Sequence, residues 1–275
     1  MSIEQNPMNV EILENESDQT WLVLKIQEQH YAVNCRDVLS IFIADFDVTE
    51  VSGYSSDVKG VFDFRGSVIP LLELRSVLGK ISFEAEHQQF TYDMDMRKSE
   101  HMAWVSELAR CTYSGEKFTL ATDPHQCAFG KWYDSYKPSN QAVAFDMKKI
   151  EDPHRLLHEA AIRIAECGND EEKKMEYLRK VEQEYAPKVV ALLDDLKDVY
   201  RTGFREMCVV LSNDEGKMIG TLVDEVLSVG ALRSVDSQNM FDNSCVHHVA
   251  RSESVKGEIF VLDRDVLFST VFRQW

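Results

Sequence analysis

The run Lys59-Gly-Val-Phe-Asp-Phe-Arg-Gly66, continued by Ser67-Val-Ile-Pro-Leu-Leu-Glu-Leu74, decides the fold of this chain. Apolar residues lie on both sides of Gly66, which predicts two strands joined by a turn. Pro70 stands inside the second strand. Because proline cannot donate a hydrogen bond to a neighbouring strand, we expect Pro70 at an edge or a bulge of the sheet.

Strand patterns extend outward from this hairpin in both directions. Before it, Trp21–Ile26 and Tyr31–Val33 flank a polar turn and predict another hairpin. Well after it, Met207–Leu211 and Lys217–Val223 predict a further hairpin, and Gly257–Asp263 is an apolar strand. β structure therefore lies on both sides of the middle of the chain.

The middle of the chain has helical periodicity instead. Apolar residues in the range 171–204 recur at intervals of three and four, and Pro187 should kink or divide this helix. Start signals at Asp123-Pro124 and Asp152-Pro153 predict two more helices, and a fourth is expected over about 88–111. Four helices suggest a bundle.

The order of strands, then helices, then strands indicates a β domain interrupted by a helical insertion. Such insertions are tolerated at surface loops, because loop-closure entropy rises only slowly with loop length. The predicted organisation is an α+β multidomain protein with a flexible tail over 1–17, the first part of the β domain over 18–82, the inserted helical bundle over 83–205 and the second part of the β domain over 206–275.

Composition argues against some classes of function. The chain has 275 residues and a formal net charge of −17, which disfavours binding to nucleic acid or to an anionic membrane through clustered basic side chains. No apolar stretch is long enough to cross a bilayer, and the polar, acidic N-terminus lacks the pattern of a secretion signal. We therefore expect a cytoplasmic protein whose six scattered cysteines stay reduced.

Three histidines and one cysteine in the helical part point to a metal site. His154 and His158 are four residues apart, so on a helix they lie about one turn apart on the same face and can share an ion. With His101 and Cys127 they would complete the tetrahedral set of imidazoles and thiolate that zinc prefers. His125, two residues before Cys127, is a competing ligand candidate.

The two β segments together resemble the CheW-like domain of chemotaxis coupling proteins. The resemblance depends on the order and spacing of three runs, which are Lys59–Arg75, Ile219–Val229 and Val255–Asp263. Two departures are Phe64, where the family usually has Leu, and Glu73, where it usually has Asp. The resemblance implies a double five-stranded β-barrel, interrupted in this chain by the helical insertion.

The same resemblance implies partners, since the family acts as a scaffold that links methyl-accepting chemoreceptors to the CheA histidine kinase. Arg65 is either a turn residue or a receptor contact, and the resemblance favours the contact. Val38 is a second predicted partner-binding residue.

The helical part resembles the chemoreceptor zinc-binding domain, abbreviated CZB. That family's pattern is His-x-x-aromatic, Cys-x-apolar-Gly-x-aromatic and His-x-x-x-His, and this chain matches it at every ligand position. The resemblance implies a four-helix bundle that commonly pairs as a homodimer, with zinc held by His101, Cys127, His154 and His158. The residues implied to pack around the metal are Trp104, Phe129, Gly130 and Trp132.

Together the resemblances imply a signal-transduction scaffold at chemoreceptor arrays that senses zinc or an oxidant such as hypochlorous acid. Zinc would hold Cys127 as a thiolate, the one oxidisable ligand and hence the predicted redox switch. The alternative is a structural adaptor in which zinc only stabilises the bundle or a homodimer. A zinc hydrolase is a weaker hypothesis, because Arg155 follows His154 where a zinc protease has Glu, and we expect no enzyme activity.

Overall fold

A computed structural model of the protein describes residues 19–138, 140–235 and 245–272. The tail predicted for residues 1–17 lies outside the described residues. The chain forms two compact units. The β unit contains the residues up to Ser82 together with those from Arg205 onward, and the helical unit is Phe83–Phe204.

The described part of the β unit contains eleven strands, numbered along the chain. They are β1 (Trp21–Ile26), β2 (Gln29–Asn34), β3 (Val38–Ile43), β4 (Val58–Phe64), β5 (Ser67–Glu73), β6 (Met207–Ser212), β7 (Met218–Val223), β8 (Glu225–Gly230), β9 (Arg233–Val235), β10 (Val246–Arg251) and β11 (Ile259–Leu262). A short helix, α1 (Leu74–Val77), follows β5, and α7 (Arg264–Phe272) follows β11.

These strands form two sheets, and each sheet draws on both parts of the chain. The first has the order β8-β1-β2-β11-β10-β9, and the second has the order β3-β6-β7-β5-β4. The pairs β2–β11 and β5–β7 are parallel, and the others are antiparallel. The two separated segments therefore fold as one unit. The first sheet has six strands where the resemblance implied five, because the three-residue β9 extends it beyond β10.

The decisive hairpin is β4–β5, and its turn consists of Arg65 and Gly66. Their φ angles are 56° and 83°, the conformation of the two-residue turns that match the twist of hairpin strands. The Gly66 N–H donates to the Asp63 carboxylate at 3.1 Å, and the Arg65 guanidinium lies over the Phe64 ring. The turn predicted at Gly66 is confirmed.

Pro70 lies in an interior strand, whereas the sequence suggested an edge or a bulge. It stands opposite Val61 of β4. The neighbour on the other side, β7, pairs with β5 only from Leu71 onward. At Pro70 itself the strand therefore has a partner on one side only, which is where a sheet tolerates a residue without an N–H.

A buried ion pair joins three segments of the β unit. Nε and Nη2 of Arg75 each donate to the Asp224 carboxylate at 2.7 Å, and both side chains are almost fully buried. The same carboxylate accepts the backbone N–H of Gln27 at 2.6 Å. Asp224 thus connects the end of β1 and helix α1 to the junction between β7 and β8.

Asp224→Ala should destabilise the β unit by about 3–5 kcal/mol, because it leaves the Arg75 charge buried without its partner. Chemical denaturation followed by the β-sheet circular dichroism signal measures this change. The control is Glu253→Ala, which removes the partner of Arg233 at an exposed ion pair of similar length and should alter the midpoint little. A wild-type midpoint for Asp224→Ala would contradict this account.

The described part of the helical unit contains one short helix and three long helical stretches. They are α3 (Ala128–Ser135), α2 (Phe83–Ser114), α4 (Gln141–Glu166) and the consecutive pair α5 (Glu171–Lys180) and α6 (Ala186–Gly203). A π-helical turn, Val181–Tyr185, joins α5 to α6, with Pro187 in the first turn of α6. The sequence predicted a kink or a division at Pro187. The structure has a π turn just before it, and the backbone stays helical on both sides of that turn. None of the described helices combines the length and the apolar character needed to span a bilayer.

Helix α4 begins earlier than the sequence suggested. Asn140 caps its first turn, so the start assigned to Asp152-Pro153 was wrong and Pro153 lies inside the helix. The reason is a stripe of buried side chains that runs through this point and whose burial outweighs the cost of an internal proline. The stripe consists of Val143, Met147, Ile150, His154, Leu157, Ala161 and Ile164.

The two ends of the helical unit meet. The rings of Phe83 and Phe204, its first and last residues, stack with centroids 4.1 Å apart. Phe90 and Tyr200 stack at the same separation one step further along. Ends that lie side by side suit a segment inserted into a loop, because the strands on either side need not move apart.

Candidate metal centre

Within the described residues, one group of side chains is arranged to hold a metal ion, and it is the predicted set. His101 comes from α2, Cys127 is the N-cap residue of α3, and His154 and His158 lie one turn apart on α4. One ligand atom from each residue lies within 4.8 Å of all the others. His125 is not part of this group.

The spacing suits a tetrahedral ion. The Sγ of Cys127 and the Nε2 of His154 are 3.3 Å apart. Two ligands on a tetrahedral zinc lie roughly 3.3–3.7 Å apart, given zinc–ligand bonds of about 2.0–2.3 Å. The ring centroids of the three histidines are 4.7–5.8 Å from one another, so the rings converge on a shared point without stacking.

The Nε2 atoms of His101 and His158 are arranged as metal ligands would be. The Nδ1 of His101 contacts the Arg97 carbonyl at 2.7 Å, and the Nδ1 of His158 contacts the Ala121 carbonyl at 3.0 Å. A carbonyl can only accept, so each Nδ1 carries the proton and each Nε2 presents a lone pair. Both Nε2 atoms are buried and have no hydrogen-bond partner among the described residues. A metal ion is the partner that this orientation of the rings prepares for.

Burial also keeps the histidines in the form that binds metal. Desolvation lowers the pKa of His154 to about 3 and that of His158 to about 4, and it lowers the pKa of His101. All three imidazoles are therefore neutral near pH 7. Burial raises the pKa of the Cys127 thiol, and the hydrogen bond from the Gly130 N–H opposes that rise. A metal that binds here must displace the thiol proton.

A tight turn positions Cys127. The Asp123 carboxylate accepts the His125 N–H at 3.0 Å, and the Asp123 carbonyl accepts the Gln126 N–H at 3.0 Å. Helix α3 then starts with the Cys127 sulfur as its cap, since Sγ accepts the Gly130 N–H at 3.2 Å. A side chain at Gly130 would overlap the Pro124 carbonyl oxygen. The glycine therefore permits the close approach of the turn to α3.

Aromatic side chains surround the histidines. Phe129 is buried and meets the rings of His101 and His154 edge-on. Trp104 packs on His158 at 4.8 Å and donates its indole N–H to the Ala121 carbonyl. Trp132 lies one layer further out, where its ring contacts are Phe90, Phe129 and Tyr136.

Two features of the site were missed from the sequence. The carbonyls of Arg97 and Ala121 orient two of the rings, and a backbone group carries no signature in the residue type. Only the spacing of Arg97, four residues before His101 on α2, could have suggested its contact. The predicted partner contacts Arg65 and Val38 both lie in the β unit. Neither belongs to the candidate metal group.

Comparisons with known proteins bear on both units. A family model described as the CheW-like domain matches residues 20–91. A second, described as the chemoreceptor zinc-binding domain, matches residues 101–165 and spans all four candidate ligands. Part of the β unit thus matches the CheW-like domain, and much of the helical unit matches the chemoreceptor zinc-binding domain. Both resemblances seen in the sequence are confirmed.

Among solved structures, the chain is similar to the scaffolding protein TtCheW from Thermoanaerobacter tengcongensis. The two share 11% sequence identity over 89% of this chain and 88% of that one, with a TM-score of 0.39. A search of curated proteins finds no match.

The purified protein should carry about one zinc per chain, and Cys127→Ala should lower this occupancy because it removes the only sulfur ligand. Elemental analysis after dialysis against a weak chelator measures the ratio of zinc to protein. Cys111→Ala is the matched control, since Cys111 is a buried cysteine of the same unit whose sulfur contacts Glu107 instead. Equal zinc loss from both variants would show that the ligands are assigned wrongly.

Gly130→Ala should weaken zinc binding by about tenfold or more, because the added methyl group displaces the turn that fixes Cys127. Competition with a zinc-chelating dye gives the dissociation constant. Gly230→Ala is the control, since a methyl group there meets no atom within 4 Å. If Gly130→Ala bound zinc as tightly as the wild type, the turn would have no role in positioning the Cys127 sulfur.

Proposed function

We propose that the protein is a chemotaxis coupling scaffold, in which the CheW-like domain links chemoreceptors to a CheA-type histidine kinase and the inserted domain adjusts kinase output by sensing zinc or an oxidant. The observation that carries the proposal is the convergence of one cysteine and three histidines inside the helical unit of a chain with a CheW-like domain. The proposed domains are 18–82 with 206–275 for the scaffold and 83–205 for the insert.

Cys127 is the proposed switch because of where its sulfur lies. It is partly exposed, whereas His101, His154 and His158 are buried. When bound, zinc supplies a positive charge that holds this sulfur as a thiolate. The thiolate can then attack the chlorine of hypochlorous acid and release hydroxide, and water hydrolyses the resulting sulfenyl chloride to a sulfenic acid with release of chloride and a proton.

Modification of this sulfur would disturb the start of α3. Cys127 Sγ accepts the Gly130 N–H and lies 3.3 Å from the Pro124 carbonyl, so an added oxygen would compete with these contacts. Loss of a helix cap typically costs about 1 kcal/mol. Phe129, one residue into α3, touches two of the histidines, which links the cap to the rest of the site.

The second candidate is a structural adaptor in which zinc only stabilises the helical unit or a homodimer. The enclosure of the ligands favours it, because His158 has no exposed surface and closed four-ligand zinc sites are typically structural. The two candidates differ in one respect: only a sensor changes kinase output when the site changes.

Finer features of the scaffold are part of the proposal. The helical unit is proposed to be a four-helix bundle, the two sheets to be the barrels of the family, and the protein to work at cytoplasmic receptor arrays. Arg65 at the tip of the β4–β5 hairpin is exposed, as is Val68 beside it, which suits a partner contact. Val38 begins β3 and is half-buried against the core of the β unit, whereas Leu39, Ile41 and Ile43 on the other face of the strand are exposed.

In reconstituted complexes of receptor, kinase and this protein, one equivalent of hypochlorous acid should release zinc and change the rate of kinase autophosphorylation. A zinc indicator and phosphate incorporation measure the two effects on the same sample. Cys127→Ser should abolish the response to oxidant, because serine cannot form the oxidised sulfur. Cys167→Ala, which removes another partly exposed cysteine of the helical unit, should respond like the wild type.

Three outcomes separate the candidates. Constant kinase output while zinc leaves would refute sensing and favour the structural adaptor. A response that persists in Cys127→Ser would refute the assignment of the switch. Failure of the protein to join receptor and kinase at all would refute the scaffold itself.

A further inference from the structure

A small cleft opens beside the candidate metal centre on the side of His154. Its volume is about 60 Å³, and it is bordered by His125, Phe129, Tyr133, Glu151 and His154 among others. This is room for a few water molecules, since one needs roughly 15 Å³. Among the three buried histidines, His154 is the one that borders this cleft.

His125 is held in the cleft in the manner of a metal ligand. Its Nδ1 contacts both carboxylate oxygens of Asp134, at 3.0 and 3.1 Å. A carboxylate that accepts from Nδ1 fixes the tautomer of the ring and leaves Nε2 as the nitrogen with a lone pair, as in the carboxylate–histidine pairs behind zinc ligands. The His125 side chain is 63% exposed, so a cation from solvent can reach it.

Charge in the cleft favours a cation. Glu151 borders it, and Asp134 stands behind His125. Among the described residues that border it, the one Lys or Arg side chain is Arg155, which is engaged by Asp152 at 3.1 Å and by Glu159 at 2.8 Å. The acidic groups therefore set the sign of the local potential, and a negatively charged cleft raises the local concentration of cations.

Such a route would spare the ion passage through the enclosed side of the site. His101 and His158 are buried against aromatic rings, and a hydrated zinc ion cannot pass them without losing its water. A ligand at the surface replaces one water before the ion moves inward, so the ion is never stripped in a single step. His125 offers that ligand, and His154 is the next one along.

We propose that His125, oriented by Asp134, is a loading ligand that takes up zinc in the cleft and transfers it to His154 and the buried site. The inference rests on the proposed zinc site. His125 lies outside the group of four and takes no part in holding the ion at rest. A ligand used only in transit speeds uptake and release by the same factor, so it changes both rates and leaves the dissociation constant unaltered.

The test uses full-length protein stripped of metal with a chelator and mixed rapidly with zinc chloride. Trp104 packs on His158, so tryptophan fluorescence follows arrival of the ion at the buried site. Transfer of zinc from loaded protein to an excess of chelator gives the release rate. We expect both rates to fall about tenfold in His125→Ala, with a smaller fall in Asp134→Asn, while the dissociation constant stays at the wild-type value. His247→Ala, at an exposed histidine of the β unit, should match the wild type.

Two results would overturn the loading role. If His125→Ala bound and released zinc at wild-type rates, the cleft would not be the route. If the variant bound zinc more weakly with an unchanged uptake rate, His125 would be a resident ligand. Failure of the zinc site itself gives a different result, since the wild-type protein would then take up no zinc at all.

Discussion

Two buried imidazole nitrogens without a protein partner, the Nε2 atoms of His101 and His158, are the constraint on which the helical unit depends. Burial removes water from these groups, and a polar nitrogen left without a partner costs free energy. The carbonyls that hold His101 and His158 satisfy one nitrogen of each ring and aim the other at a shared point. A metal cation is the partner that can bind several nitrogens and a sulfur there at once, so a bound ion and the packing of this core would stabilise each other.

The five residues from Asp123 to Cys127 extend this constraint to the surface. The Asp123 side chain and carbonyl fix the turn, and Gly130 admits it against α3. The backbone, more than side-chain packing, therefore decides where the Cys127 sulfur lies. The same turn places His125 in the cleft, so the partly exposed ligand and the cleft beside the site share one local structure.

The parts of this arrangement that the sequence could predict are those set by local geometry. The helix period alone brings His154 and His158 to one face, and the turn at Gly66 follows from its residue type. His101 and Cys127 needed the family pattern, because spacing in the chain does not show which helices are adjacent. Asp152-Pro153 predicted a helix start wrongly, because the buried side chains of α4 continue through this point and stabilise one longer helix. The strand of Pro70 was expected at a sheet edge because the neighbouring strand β7 comes from a distant part of the chain, which local sequence does not reveal.

Retention and exchange of a metal place opposite demands on one site. Enclosure of His101 and His158 would slow the loss of a bound ion, and enclosure on every side would also prevent loading and oxidation. The structure concentrates access at the Asp123–Cys127 turn, where Cys127 is partly exposed and His154 borders the cleft. The partly exposed sulfur and the cleft both adjoin this turn. Oxidation of the sulfur would therefore act next to the proposed route of zinc. In the proposed sensor, the oxidation state of Cys127 would be coupled to metal exchange without opening the aromatic side of the site.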